Sequence, residues 1–376
     1  MERRTFVRTG VAAGLIGVGV EPTLSEDAWA LPRSRRAEGT IRLSSNENPL
    51  GLSPVARQAV IDNIPNANRY PFTVVGPLKE ALAAKHGVAV ENLVLGAGSS
   101  EVLQMAVQVM GQGNATFIMA DPTYEDVPSY AKPWDLRVEK VPLRADYSHD
   151  LGRMREMADR VNGQVLVYIC NPNNPTGTLT DCGEIDEWIG SASERMSFLV
   201  DEAYFEYAEK QPRYWTSLKW IADRPNVMVA RTFSKIFAMA GMRLGYGIAH
   251  PETAAKLNGL ASKNNANYLA CAAALASLQD RGLVARSIES NDQARRVLHG
   301  VLGELEIPYL PSHTNFLMHV IKGQLADYRK RMEEAGFAVG RPFPPMLTYN
   351  RVSLGLPEEM ERFGEVLRNF REHGWV

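Results

Sequence analysis

Val165-Leu166-Val167-Tyr168-Ile169-Cys170 runs without a break into Asn171-Pro172-Asn173-Asn174-Pro175-Thr176-Gly177. The first six residues are apolar without alternation, the pattern of a strand covered on both faces of a sheet. The next seven are rich in Asn, Pro and Gly, so the chain turns away from the sheet after Cys170. The same grammar repeats outward. Asn92 to Leu95 reads as a strand ending in Gly96-Ala97-Gly98-Ser99-Ser100, and a helix follows from about Ser100 to Met110 with Val102, Ala106 and Val109 on one face. Ala115 to Met119, Leu136 to Val141, Ser197 to Val200, Val227 to Ala230 and Leu244 to Ala249 read as further strands. Strands alternating with helical patterns predict an α/β protein with a doubly wound, mostly parallel sheet.

The segments at the ends of those strands point to function. Gly96 to Ser100, Asp121-Pro122-Thr123-Tyr124, Asn171 to Gly177, Asp201-Glu202-Ala203-Tyr204 and Thr232-Phe233-Ser234-Lys235 all fall at or just past strand carboxyl ends. Open α/β sheets bind their ligands at that edge. After about Ala276 the pattern changes to amphipathic helix and isolated strands, with Asn315 to Val320 a strand and Met360, Phe363, Val366, Leu367 and Phe370 one helix face. We therefore expect a large domain over residues 67–275 and a smaller α+β C-terminal domain over 276–376. Residues 31–66, with Pro32, Pro49, Pro54 and Pro65, read as an extended arm followed by a short helix.

The bulk properties narrow the function classes. A net charge of -2 over 376 residues gives no electrostatic case for nucleic acid or an anionic membrane. Cys170, Cys182 and Cys271 cannot form a fully paired framework and match no zinc spacing, so no metal is expected. Arg3-Arg4-Thr5-Phe6 precedes a mildly apolar run from Thr9 to Val20 and then Ala28-Trp29-Ala30, the layout of a cleavable export signal over residues 1–30. The paired arginines resemble a twin-arginine signal, which implies a periplasmic or exported protein with no membrane segment once the signal is removed. The alternatives are a frayed basic N-terminus on a cytoplasmic protein and a short membrane anchor left uncleaved.

The motifs in their order resemble those of the fold-type-I aminotransferases that use pyridoxal phosphate, and most closely the histidinol-phosphate aminotransferase family. The resemblance runs from about Arg42 to the C-terminus, roughly nine-tenths of the chain. It rests on Asn171 to Gly177, then Asp201-Glu202-Ala203-Tyr204, then Thr232-Phe233-Ser234-Lys235, then Gly241-Met242-Arg243-Leu244-Gly245. Such a cofactor needs a lysine for its aldehyde, a buried carboxylate for its ring nitrogen, and helix N-terminal donors with a cation for its phosphate.

The resemblance implies a role for each matched residue. Lys235 forms the covalent link to the cofactor and carries the proton. Asp201 pairs with the ring nitrogen, Asn174 and Tyr204 donate to the 3-oxygen, and Tyr124 stacks on the ring. Ser99 and Ser100 supply backbone donors to the phosphate, with Ser234, Thr232 and Arg243 completing the cup. Tyr70, in Asn68-Arg69-Tyr70-Pro71, matches a tyrosine lent across a dimer, which implies a homodimer with shared sites. Arg351, in Arg351-Val352-Ser353-Leu354-Gly355, matches the arginine that holds the substrate's acidic group, with Arg341 assisting, and Asn46 lies in the substrate-gating stretch.

Read singly, these residues have blander explanations. Asn174 could shape a turn, Tyr124 could be core, and Arg351 could serve a surface ion pair. Gly340-Arg341-Pro342-Phe343-Pro344-Pro345 is more proline-rich and apolar than the family pattern. The expected reaction is transfer of an amino group from an amino acid, aromatic or bulky, or from histidinol phosphate, to a 2-oxo acid. A β-lyase, racemase or cyclising synthase would need the same cofactor residues, and a non-catalytic binding protein of this fold is the remaining alternative.

Overall fold

Eleven strands organise the computed structural model, which describes residues 39–376; the expected signal lies outside the described residues. They are β1 (Ile41–Leu43), β2 (Leu93–Gly96), β3 (Thr116–Asp121), β4 (Arg137–Pro142), β5 (Val165–Cys170), β6 (Met196–Asp201), β7 (Val227–Thr232), β8 (Gly245–Ala249), β9 (Phe316–Val320), β10 (Phe337–Val339) and β11 (Tyr349–Ser353). Strands β2 to β8 make one seven-stranded sheet in the order β2-β8-β7-β6-β5-β3-β4. Every neighbouring pair from β7 to β4 is parallel, while β8 runs antiparallel to both β2 and β7.

That one reversed strand matters for the site. β8 starts where β2 and β7 end, with Gly245 opposite both Gly96 and Thr232. The residues just before β8, including Arg243, therefore arrive at the same edge as those just after β2, β6 and β7.

Alternation along the strands divides the core between two faces. Leu166, Tyr168 and Cys170 of β5 pack with Val102, Leu103 and Ala106 of the helix Ser99–Met110. Val165, Val167 and Ile169 pack on the other side against Met154 of the helix Leu151–Arg160 and Ile185 and Trp188 of the helix Cys182–Ser191. All six residues of β5 and of β7 are buried: β5 is an unbroken apolar run, whereas β7 buries Arg231 and Thr232 after its four apolar residues. The edge strand β4 carries Arg137, Glu139 and Lys140, charges that discourage pairing with another sheet.

A separate cluster gathers the C-terminal elements. Met360, Phe363, Leu367 and Phe370 of the helix Pro357–Glu372 are buried there, with Val366 packed against them. β9 and β11 pair antiparallel, placing Arg351 opposite Met318. The arm does not stay apart: β1 pairs in parallel with β10, and Ile41 and Leu43 join the C-terminal cluster. The next helix, Pro54–Asn63, instead buries Ala56 among residues of the helices Phe72–His86 and Tyr268–Gln279. The stretch between them, residues 44–53, thus crosses the sheet edge where the site lies. Among the described residues no helix is long and apolar enough to cross a membrane.

Candidate active site

Ser99, Ser100, Tyr124, Asn174, Asp201, Tyr204, Thr232, Ser234, Lys235 and Arg243 line one cavity of about 260 Å³. They come from the carboxyl ends of β2, β3, β5, β6 and β7 and from the turn before β8, so the sheet edge itself assembles the site.

Asp201 ends β6 and is buried. Its Oδ2 accepts the Tyr168 hydroxyl at 2.9 Å and its Oδ1 accepts the Ala203 amide at 3.1 Å. Burial pushes its pKa up to about 6, against the pull of those two donors. The Lys235 charge acts on it weakly, and no Lys or Arg among the described residues forms an ion pair with it, which fits the place expected for the cofactor's ring nitrogen.

Lys235 follows β7, with its Nζ 3.5 Å from the Ser45 carbonyl and 5.7 Å from the Tyr204 ring centre. Burial lowers its pKa to about 8, and the positive charges of Arg351 and Arg243 push in the same direction. A substantial fraction of the amine is neutral near pH 8, which a nucleophile requires.

At the other end the helix Ser99–Met110 opens on Gly98, whose φ of 81° suits glycine and which offers no side-chain cap. A Cβ at Gly98 would collide with the Arg243 guanidinium. Arg243 itself donates to the Ala240 carbonyl at 2.9 Å and the Ala97 carbonyl at 3.3 Å, and no carboxylate among the described residues pairs with it. Glycine cradle, uncapped helix start and a guanidinium lacking an acid together fit a phosphate group. Thr232 and Ser234 lie beside them, hydroxyl to hydroxyl at 2.9 Å.

Asn174 and Tyr204 are held from behind. Arg351 Nη1 donates to Asn174 Oδ1 at 2.7 Å, which leaves the Asn174 amide hydrogens available. Asn46 Nδ2 donates to the Tyr204 hydroxyl oxygen at 3.0 Å, which leaves that hydroxyl its own proton to give. Asn46 is in turn fixed by Ser353 Oγ, which accepts its amide at 2.8 Å, and by Asn315 Nδ2, which donates to its carbonyl at 2.9 Å. The Tyr124 hydroxyl donates to Asp126 at 2.6 Å, fixing the ring at the cavity wall.

Arg351 and Asn46 back the lining rather than form it. Arg351 is 6% exposed, donates also to the Ser44 carbonyl at 2.9 Å, and leaves its Nε without a partner. Burial lowers its pKa to about 10. No carboxylate among the described residues forms an ion pair with this buried guanidinium, which fits the anion-binding place expected of it. Two expected residues lie elsewhere: Arg341 is ion-paired with Glu125, and Tyr70 is 68% exposed beside Phe72 and outside this cavity.

Sequence reasoning missed several neighbours. Ser45, Glu47, Cys170, Ala203 and Ala240 also line the cavity. Tyr168 was hidden inside an apolar run, although its two-residue spacing from Cys170 puts both on one face. Behind the edge, Arg231 and Glu202 are both buried and joined at 2.7 Å, with Glu202 also accepting from Thr216 Oγ1 at 2.9 Å and the Ser217 amide at 2.8 Å. Each adjoins a lining residue in sequence, Thr232 and Asp201 respectively.

Residues 38–367 match the model of the family Aminotransferase class I and II. The chain is 36% identical over 340 residues to a histidinol-phosphate aminotransferase of Moorella thermoacetica, covering 89% of this chain and 86% of that one. A crystal structure of a protein from Erwinia carotovora atroseptica superposes with a TM-score of 0.87 at 38% identity, over 90% of this chain and 97% of that one. The histidinol-phosphate aminotransferase of Sinorhizobium meliloti, solved in complex with pyridoxal-5'-phosphate, gives 0.80 at 26% identity, over 88% and 92%. The chain belongs to the class I and II aminotransferases and is a pyridoxal-phosphate-dependent transferase of amino groups.

Proposed function

We propose that this enzyme performs a two-step transamination, passing nitrogen from an amino acid with an aromatic or bulky side chain, or from histidinol phosphate, to a 2-oxo acid. The observation that carries this reading is the buried Arg351, ion-paired with no acid among the described residues and tied to Asn174 at 2.7 Å, beside a cavity that Lys235 and Asp201 both line. The cofactor supplies an aldehyde to carry nitrogen and a ring that withdraws electrons from the substrate Cα.

The residues divide the remaining work. Arg243, Ser234, Thr232 and the Ser99 and Ser100 amides hold the phosphate. Asp201 would pair with the ring nitrogen and keep it protonated, Tyr124 would stack on the ring, and Asn174 and Tyr204 would donate to the 3-oxygen. Arg351 orients the donor's acidic group, which fixes the Cα proton within reach of Lys235. Lys235 Nζ then removes that proton and returns it on the far side of the transfer.

Two further parts belong to the same proposal. Tyr70 and Phe72, both strongly exposed, suit a homodimer in which Tyr70 completes the partner's phosphate site. The twin-arginine-like segment suits export of a protein already folded around its cofactor.

The test is an assay of keto-acid formation from a panel of L-amino acids and histidinol phosphate, with and without a 2-oxo acid. Turnover that requires the acceptor supports transfer. Steady release of ammonia or pyruvate without acceptor would instead indicate a lyase.

A further inference from the structure

Near the proposed place for the substrate's acid, Arg341, expected to assist there, is instead held in an ion pair whose acid has no assigned role. Arg341, in the segment between β10 and β11, pairs with Glu125, the residue after the cavity-lining Tyr124. The two side chains are 44% and 48% exposed, so the pair bridges two separate segments at the surface rather than being packed away. Both guanidiniums of this region meet on one ring: Arg341 Cζ lies 4.3 Å and Arg351 Cζ 4.4 Å from the centre of Phe343. After burial and Tyr204, Arg341 and Glu125 also act on Arg351, in opposite directions.

The charges can be added. Arg351 and Arg341 supply two positive charges and Glu125 one negative, leaving one net positive charge for the donor's acidic group. A carboxylate, with one negative charge, matches that balance. A phosphate monoester carries roughly -1.5 to -2 near pH 7 and overshoots it. Of the two acids that line the cavity, Asp201 is assigned to the cofactor and Glu47 is already paired with Arg42 at 3.1 Å.

We infer that Glu125, by holding Arg341 as a neutral pair, is a specificity-determining residue that makes this enzyme select donors bearing a carboxylate over donors bearing a phosphate ester. This inference rests on the transamination reading and narrows it to amino acids. It assigns Arg341 to setting the local charge rather than to direct contact with the donor.

The test has a binding arm and an activity arm. Spectral titration of the holoenzyme with 3-phenylpropionate and with 2-phenylethyl phosphate compares the two anions on one hydrocarbon body. Wild type should bind the carboxylate more tightly. Glu125→Gln should shift the ratio of dissociation constants toward the phosphate by about tenfold, as one added unit of net charge predicts. Arg341→Gln should weaken both ligands, the phosphate more. The kcat/KM ratio for an L-amino acid against histidinol phosphate should move the same way, through KM. Equal ratios in wild type and Glu125→Gln, or a wild type that prefers the phosphate, would overturn the inference. If the binding ratios shift as stated yet no donor yields a keto acid, the transamination reading fails and the inference about charge survives. Both residues are half-exposed, and thermal melts of each variant would confirm that folding is retained.

Discussion

Arg351 donates from Nη1 to Asn174 Oδ1 at 2.7 Å across 177 residues of sequence. One end of that bond sits in β11 of the C-terminal sheet, the other in the turn after β5 of the large sheet. The residue expected to hold the substrate's acid thus also orients a residue expected to hold the cofactor.

Replacing Arg351 by Lys keeps the charge but removes the planar fork that reaches Asn174 and Ser44 together. Steady-state kinetics should show kcat/KM falling about a hundredfold, in the range for breaking a buried charged hydrogen bond, with most of the loss in KM. Unchanged KM would mean that Arg351 does not bind the donor.

Asp201→Asn should separate folding from cofactor retention. Its pKa is raised from 3.8 to about 6, chiefly by burial. The folded state therefore pays for ionising Asp201: the penalty is absent below the unfolded pKa, grows between the two values, and is complete above about 6. The cofactor-free Asn variant should melt higher than cofactor-free wild type at pH 8, by about 3 kcal/mol of stability, and the advantage should vanish near pH 4. The same variant should lose cofactor on dialysis. A lower melting point at pH 8 with full cofactor retention would contradict both halves.

Much of this arrangement was legible beforehand, and the parts that escaped did so for physical reasons. β5 matches its sequence span residue for residue, because a strand buried on both faces writes itself as an unbroken apolar run. Asn92 read as strand but sits just outside β2, its Nδ2 donating to the Ala249 carbonyl at 2.7 Å and its Oδ1 accepting from Ala89 at 3.0 Å. The three-residue strands β1 and β10 are too short for any periodicity to show. The reversal of β8 could have been suspected from the short link after Thr232, which holds only a 3-10 turn at Ala240–Met242 where a parallel crossover needs a helix. Of the site, the motif residues were readable; Tyr168, Glu125 and the Glu202–Arg231 pair were not, because their partners are distant in sequence.

Uptake of cofactor by the cofactor-free protein should depend on pH through Lys235. Burial, Arg351 and Arg243 hold its pKa near 8, and only the neutral amine attacks an aldehyde. The capture rate should rise as pH passes through about 8 and level off above it. A profile that rises only above 10 would place Lys235 in an ordinary solvated environment.

Glu202→Gln should destabilise the fold by about 3 kcal/mol, since it leaves the buried Arg231 charge with only the more distant Glu206 carboxylate at 3.9 Å. Chemical denaturation would measure this. A change below about 0.5 kcal/mol, the level of surface substitutions, would show the pair to be dispensable.

The whole mechanism turns on Lys235 binding the cofactor covalently in the cavity that Asp201 and Arg243 share. The most direct measurement is the visible absorbance of purified wild type and of Lys235→Ala, before and after dialysis. Wild type should show a visible band that survives dialysis and moves on adding an amino donor, and the variant only the spectrum of free cofactor, which dialysis removes. A wild type that never shows the band, or a variant that keeps the same band through dialysis, would contradict that role for Lys235.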